Sequence, residues 1–316
     1  MARRASPDIM VTAAPAGRSD RSVALNLLIS LRPGQWTKNL FVFAGLVFGR
    51  RLLDPVAALH AAAAFAIFCA LSGVVYLLND VADRATDARH PLKCRRPIAS
   101  GALSPSTALA TASVILIVAL AAAYQLDVRF FLAAALYVLL LALYSVWLKH
   151  VVIMDALTIA VGFVLRVSAG ALVIHVPISP WLLVCTILLA LFLALSKRRH
   201  ELVLLAEGAT GHRRILQEYS PYLLDQMIGV VTASTLMAYI LYATSAETAE
   251  RFGTSLLGLT IPFPLYGIFR YLYLVHQKAG GGSPSELLLA DRPLLLCVAL
   301  WGVVSAAIIY RPLLGI

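Results

Sequence analysis

The chain has 316 residues, enough for two soluble domains, but 60% of them are hydrophobic and only 13% are charged, a balance that excludes a water-soluble core. The formal net charge of +10 reads as a membrane-topology signal with some attraction to anionic lipid, so no nucleic-acid partner is needed to explain it. Cys69, Cys94, Cys185 and Cys297 are scattered without disulfide or metal-ligand spacing, which leaves packing as their role.

Residues 1–30 open with an Arg/Ala/Pro/Ser-rich stretch that has no apolar h-region. This argues against a cleaved signal and for a disordered cytoplasmic tail. Residues 31–316 are expected to form a single transmembrane catalytic domain. Apolar stretches near 20 residues, enough for about 30 Å of hydrocarbon at 1.5 Å per residue, predict nine helical spans at 34–53, 56–78, 105–124, 128–148, 151–174, 179–196, 223–245, 254–275 and 293–314. The first is the weakest, because its apolar core from Leu40 to Gly49 is short and flanked by Lys38 and Arg50. Charge asymmetry argues for keeping it. With the N-terminus cytoplasmic, 20 of the 26 Lys and Arg residues fall inside, five fall outside and Arg166 lies within a span, as the positive-inside rule requires. The expectation is an all-α integral membrane protein, a nine-helix bundle in the plasma (inner) membrane. Its Gly/Ala-rich spans allow close helix contacts and so a homo-oligomer.

Polar groups beside spans are costly and therefore informative. The second span meets Asn79-Asp80-Val-Ala-Asp83-Arg84-Ala-Thr-Asp87 before Pro91. On one continuous helix Asn79, Asp83, Asp80 and Asp87 fall at about 0°, 40°, 100° and 80°, a single face. Like charges at that spacing repel, and a hard cation joining an amide to two or three carboxylates relieves them. Mg²⁺ suits such an all-oxygen set and completes its shell with water and substrate phosphate, which implies a diphosphate ligand. The following Lys93, Arg95 and Arg96 supply the cations that phosphates also want. The alternative is a solvated acidic helix end paired with Arg84 and Arg89.

Ser196-Lys197-Arg198-Arg199-His200-Glu201, continuing to His212, Arg213 and Tyr219-Ser220-Pro221, is a second polar concentration. It reads as phosphate-binding guanidinium forks and ammonium, or as topology determinants alone. Tyr144, Lys149, Asp155 and Arg166 are a third. Asp155 and Arg166, 11 residues and about 16 Å apart on nearly the same azimuth, face a polar cavity or form an interhelical ion pair. Gly280-Gly281-Gly282-Ser283 reads as a flexible turn.

Asn79-x-x-x-Asp83-x-x-x-Asp87 at a cytoplasmic helix end in a nine-span chain resembles the UbiA superfamily of intramembrane prenyltransferases, in which this motif holds Mg²⁺ and the donor diphosphate. The usual second Asp-rich motif after span 6 is replaced here by Lys197-Arg198-Arg199-His200-Glu201. Trp36-Thr37-Lys38-Asn39, Tyr144-Ser145 through Lys149 and Asp155, the HRxxLxxYSPxLLD run at 212–225 and the segment from Pro262 to Tyr273 are similar to one branch of that family. The resemblance covers the chain from about residue 30 onward.

That resemblance implies Mg²⁺-dependent transfer of 5-phosphoribose from phosphoribosyl diphosphate to decaprenyl (polyprenyl) phosphate, releasing diphosphate, as the first step of decaprenylphosphoryl-arabinose supply for cell-wall arabinan. It implies Asn79, Asp83 and Asp87 as metal ligands and Asp83, Asp87 and Lys149 as the catalytic set. Substrate contacts are then expected from Lys38, Asp80, Lys93, Arg95, Arg96, Tyr144, Asp155, Arg166, Lys197, Arg198, Arg199 and Glu201. Transfer of a prenyl group to an aromatic acceptor calls for an acidic loop where this chain is basic. A transporter calls for two matching halves, and no internal repeat is visible.

Overall fold

In the computed structural model the described residues, 21–90, 93–206, 214–278 and 284–313, form helices and the turns between them, with no strand among them. Residues 1–20, Pro91, His212, Arg213 and the turn Gly280 to Ser283, all read above from the sequence, lie outside the described residues. The chain order is α1 (Val23–Ser30), a 3₁₀ segment (Pro33–Phe43), α2 (Ala44–Phe48), α3 (Pro55–Ala82), α4 (Arg84–Asp87), α5 (Pro105–Leu126) and α6 (Val128–Val146). A 3₁₀ turn (Leu148–His150) leads to α7 (Met154–Val173), then α8 (Pro180–Ala206), α9 (Pro221–Thr244), α10 (Ala246–Phe252), α11 (Pro262–Gln277), α12 (Pro284–Ala290) and α13 (Arg292–Tyr310).

Helix starts are encoded locally. Proline occupies the first turn of α3, α5, α9, α11 and α13, where its φ is already helical and its missing N–H is not needed. Asp54, Ser104, Asp127, Ser220 and Asp291 cap α3, α5, α6, α9 and α13 with side-chain oxygens. The Phe130 N–H, for example, donates to Asp127 Oδ1 at 2.8 Å. Each such cap is worth about 1 kcal/mol.

Among the described residues seven helices, α3, α5, α6, α7, α8, α9 and α13, are long and apolar enough to cross a membrane. An eighth span results if α10 and the stretch Leu256–Gln277, bent by 103°, count as one. The chain is a multi-pass membrane protein, and the expectation of nine regular spans needs correction at the first. The expected first span is an 11-residue 3₁₀ segment followed by the 5-residue α2. At about 2.0 Å and 1.5 Å of rise per residue these cover roughly 30 Å, so the length is there without a long α-helix. The expected eighth span, 254–275, corresponds to the stretch Leu256–Gln277, and the bend at Gly253, φ +67°, sets it off from α10.

Within the stretch assigned above to a disordered tail, Val23–Ser30 is instead helical with Ser22 as its cap. Its polar residues Asn26 and Ser30 are buried while Val23, Leu25, Leu28 and Ile29 are exposed, the polarity expected of a helix whose outer face meets lipid.

Consecutive helices pair: α5 with α3, α6 with α5 and α7, α8 with α7, α9 with α8, and α13 with α11. The 3₁₀ segment Pro33–Phe43 lies against both α3 and α7. Two glycines permit this. A Cβ on Gly45 would sit 2.8 Å from Ala171 Cα, and one on Gly170 would run into the Val42 carbonyl oxygen. Phe68, Phe130, Tyr137 and Ala169 fill the core on this side, and Phe192, Leu224, Ile268 and Tyr271 fill it around α8, α9 and α11. Ile117, Val118, Leu132 and Leu136 of α5 and α6 face outward, where lipid tails are as apolar as the core.

Candidate active site

The segment Asn79 to Asp87 is not one helical face. α3 ends at Ala82, Asp83 is its cap with φ −91° and ψ 7°, and α4 follows. Backbone bonds from Asp83 N to Asn79 O at 2.9 Å and from Asp87 N to Asp83 O at 2.8 Å still stack the three residues. Their side chains divide into two sets. Asp80 and Asp87 are buried, and a single nitrogen, Arg96 Nη1, reaches both, at 3.1 Å from Asp80 Oδ1 and 2.6 Å from Asp87 Oδ2. Arg32 adds a second cation on Asp80 at 2.5 Å, and Lys93 Nζ lies 3.9 Å from Asp87 Oδ1. Asp83 is half exposed and faces Lys149 Nζ at 3.6 Å.

Among the described residues the cations on these carboxylates are therefore Arg32, Lys93, Arg96 and Lys149, not Arg84 or Arg89. The repulsion anticipated from spacing is relieved by guanidinium, which chain folding brings from both directions. Arg95 is exposed.

The basic run on α8 splits three ways because consecutive helical residues point about 100° apart. Arg198, only 2% exposed, donates Nε to Asp155 Oδ2 at 2.6 Å and Nη1 to Glu201 Oε2 at 2.5 Å, with Nη2 3.3 Å from Tyr144 OH. Lys197 Nζ stands 3.8 Å from Glu201 Oε1. Arg199 turns away to Asp225, which also meets His276 at 3.3 Å.

Asp155 is fully buried and its second oxygen accepts from Tyr219 OH at 2.8 Å. Burial pushes the Tyr219 phenol up to about 12, so it serves as a neutral donor. The interhelical ion pair weighed above is thus formed by Asp155 of α7 with Arg198 of α8. Arg166, also buried, donates Nε to Asn39 Oδ1 at 2.9 Å and Nη2 to Tyr137 OH at 2.6 Å, and stacks on Tyr137 and Phe163. Three turns of α7 separate Arg166 from Asp155, so shared azimuth does not bring them together.

Lys38 lies between the two constellations. The charges that reach it are Lys197, Arg166 and Arg32, with Glu286 of α12 as the opposing carboxylate. Beside it in sequence Trp36 Nε1 and Thr37 Oγ1, and beside Lys197 Ser196 Oγ, are buried without a hydrogen-bond partner. Basic side chains beside orphaned donors suit an anion with several acceptor oxygens.

For a metal, no group of three or more His, Cys, Asp or Glu side chains among the described residues is close enough to hold an ion. The available donor set is the Asn79 amide with the Asp83 and Asp87 carboxylates. These hard oxygens fit Mg²⁺ in kind, provided Arg96 gives up Asp87. A separate groove of about 420 Å³ runs between α9 and α11, lined by Ile228, Thr232, Leu236, Phe269 and Leu272, with Asp225 and His276 at one end.

Sequence reasoning missed Arg32, Asn39, Tyr137, Tyr219, Asp225 and Glu286. Asn39, Tyr219 and Asp225 stood inside quoted motifs. Arg32, Tyr137 and Glu286 carried no local signal, because their partners are 48, 29 and roughly 250 residues away along the chain.

The model of the UbiA prenyltransferase family matches residues 39–289. The chain is 30% identical over 310 residues to a decaprenyl-phosphate phosphoribosyltransferase of Mycolicibacterium smegmatis, covering 94% of this chain and 97% of that one. It is 29% identical over 295 residues to the protein of the same name from Corynebacterium glutamicum, covering 89% and 86%. Among solved structures, a UbiA homolog from Archaeoglobus fulgidus bound to GPP and Mg²⁺ superposes with a TM-score of 0.69 at 20% identity, covering 91% of this chain and 99% of that one. The match to the family over most of the length and the shared fold lead to one conclusion: this chain belongs to the UbiA prenyltransferase family.

Proposed function

We propose that the protein transfers 5-phosphoribose from phosphoribosyl diphosphate to a polyprenyl phosphate, decaprenyl phosphate being the acceptor named in its relatives, and releases diphosphate. The observation that carries this reading is the set of buried, unpartnered donors Trp36 Nε1, Thr37 Oγ1 and Ser196 Oγ that flank Lys38 and Lys197 in the chain. A soluble donor bearing a diphosphate and a 5-phosphate, with a lipid phosphate acceptor, brings three phosphate groups to one place. A site for an isoprenyl diphosphate and a neutral aromatic ring has no such need.

Asn79, Asp83 and Asp87 would hold Mg²⁺, which supplies neutralisation of the diphosphate as it departs. Lys93 and Arg96 stand next to that position and add positive charge where negative charge develops. Lys149, paired with Asp83, orients that carboxylate and presents an ammonium toward the leaving group. Lys38 and Lys197 take the 5-phosphate and the lipid phosphate. The bond that breaks joins C1 to the diphosphate oxygen, and the bond that forms joins C1 to an oxygen of the lipid phosphate. That oxygen is already anionic at neutral pH, so no general base is assigned. Asp155, Arg198, Glu201 and Tyr144 form the frame that sets Lys197, with Asp155 fully buried inside it.

The groove between α9 and α11 offers an apolar path for the isoprenoid tail. The distribution of Lys and Arg supports placing the Asn79–Asp87 end in the cytoplasm, with the protein in the plasma membrane and its product entering arabinan synthesis. The test is direct. Purified protein receives phosphoribosyl diphosphate labelled in the ribose, decaprenyl phosphate and Mg²⁺, and label should move into the butanol phase. Absence of extractable label, or full transfer by Asp83→Asn, would overturn the reading.

A further inference from the structure

Ile153, the residue before α7, has φ +69° and ψ −42°. A β-branched residue in that region crowds its own backbone, so the surroundings must impose the conformation. Two sets of bonds do so. The Ile153 carbonyl accepts from the N–H groups of Ala156 and Leu157 at 3.0 and 2.9 Å, which fixes one side to the first turn of α7. The Ile153 N–H donates to Tyr219 OH at 2.7 Å, and that hydroxyl donates onward to Asp155 Oδ1 at 2.8 Å. Tyr219 comes from the far end of the α8–α9 connection, 66 residues along the chain. It is 5% exposed.

Just upstream lies the single 3₁₀ turn Leu148–His150 with Lys149 at its centre. Val151 N donates back to Leu148 O at 3.2 Å and Asp155 N to Val151 O at 3.1 Å, so the stretch from Lys149 to Asp155 is one short, internally bonded unit. The direction of the backbone at Ile153 therefore decides where that unit points. Lys149 Nζ ends 3.6 Å from Asp83 Oδ1.

We propose that Tyr219 is a positioning residue whose hydroxyl holds Ile153 in its positive-φ conformation and thereby places Lys149 opposite Asp83. This deepens the functional reading above, in which Lys149 belongs to the site. Its geometric content stands apart from any substrate. The tyrosine ring packs with Leu224 and Ile215 in the core around α8 and α9, a task phenylalanine also performs, so the hydroxyl is the separable part.

The test uses the full-length protein in detergent and a water-soluble acetylating reagent, with the extent of modification at each lysine read by peptide mass spectrometry. Lys93, paired at 3.9 Å with Asp87 and remote from Tyr219 in the chain, is the internal reference. In Tyr219→Phe, Lys149 should be acetylated severalfold faster while Lys93 keeps its wild-type rate. Adding Ile153→Gly to Tyr219→Phe should return Lys149 toward the wild-type rate, because glycine adopts positive φ without a clamp. An unchanged Lys149 rate in folded Tyr219→Phe, equal acceleration of both lysines, or no recovery in the double variant would each overturn the proposal. If Tyr219→Phe alone does not fold, the double variant decides: wild-type labelling supports the clamp, and raised labelling or failure to fold refutes it. No substrate is present, so a negative transfer assay leaves this result standing, and the reverse also holds.

Discussion

Arg198 Nε sits 2.6 Å from Asp155 Oδ2, with both side chains closed off from solvent, and this pair joins α8 to the start of α7. Removing one partner strands a buried charge, which costs about 3–5 kcal/mol. Asp155→Leu and Arg198→Met should each lower the thermal unfolding temperature in detergent strongly. The double variant should recover part of the loss, because an apolar pair of similar volume replaces the ion pair. Additive losses in the double variant would mean that the two residues do not act as a unit.

Arg96 is the cation that joins Asp80 to Asp87. Arg96→Gln should leave two carboxylates short of charge and destabilise the chelator-treated protein by about 3 kcal/mol. Millimolar Mg²⁺ should restore most of that stability by binding where the guanidinium was, whereas the wild type should respond less. A thermal-shift comparison with and without Mg²⁺ reads the difference, and equal responses in the two proteins would separate Arg96 from the metal position.

Lys38 is surrounded by like charge from Lys197, Arg166 and Arg32. Lys38→Met should therefore leave the stability of the ligand-free protein unchanged or raise it. Loss of a charge-assisted bond to phosphate, about 1.5–3 kcal/mol, should raise KM for one substrate by roughly 10- to 100-fold. Steady-state kinetics with each substrate varied in turn identify which phosphate Lys38 serves, and wild-type KM values for both would remove it from the site.

Gly170 faces the Val42 carbonyl with no room for a methyl group. Gly170→Ala should push the segment Pro33–Phe43 off α7, with overpacking of about 1–3 kcal/mol, and move Lys38 with it. Transfer activity should fall in parallel with the melting temperature. Gly302→Ala on α13, where a Cβ meets nothing within 4 Å, should leave transfer unchanged and should not lower the melting temperature.

Local chemistry accounts for the elements that could be read in advance. Proline and a Ser or Asp cap mark the starts of α3, α5, α9 and α13 in the chain itself, and long apolar runs mark their interiors. The irregular first span escaped because its shape is set by neighbours. Pro33–Phe43 is shaped by Asn39 reaching Arg166 and Ser72 and by the missing side chain of Gly170.

For the site, residue type and spacing alone determined that Asn79, Asp83 and Asp87 stand in register at a helix end and that basic residues gather near them, because i, i+4 spacing and charge are properties of the chain. Pairing was decided only by tertiary structure. Which cation meets Asp155, and whether Asp87 meets Arg84 or Arg96, depends on which helices pack together and where each turn exits. A buried charge takes the partner that folding brings within about 3 Å, because in a low-dielectric interior no solvent stands ready to replace it.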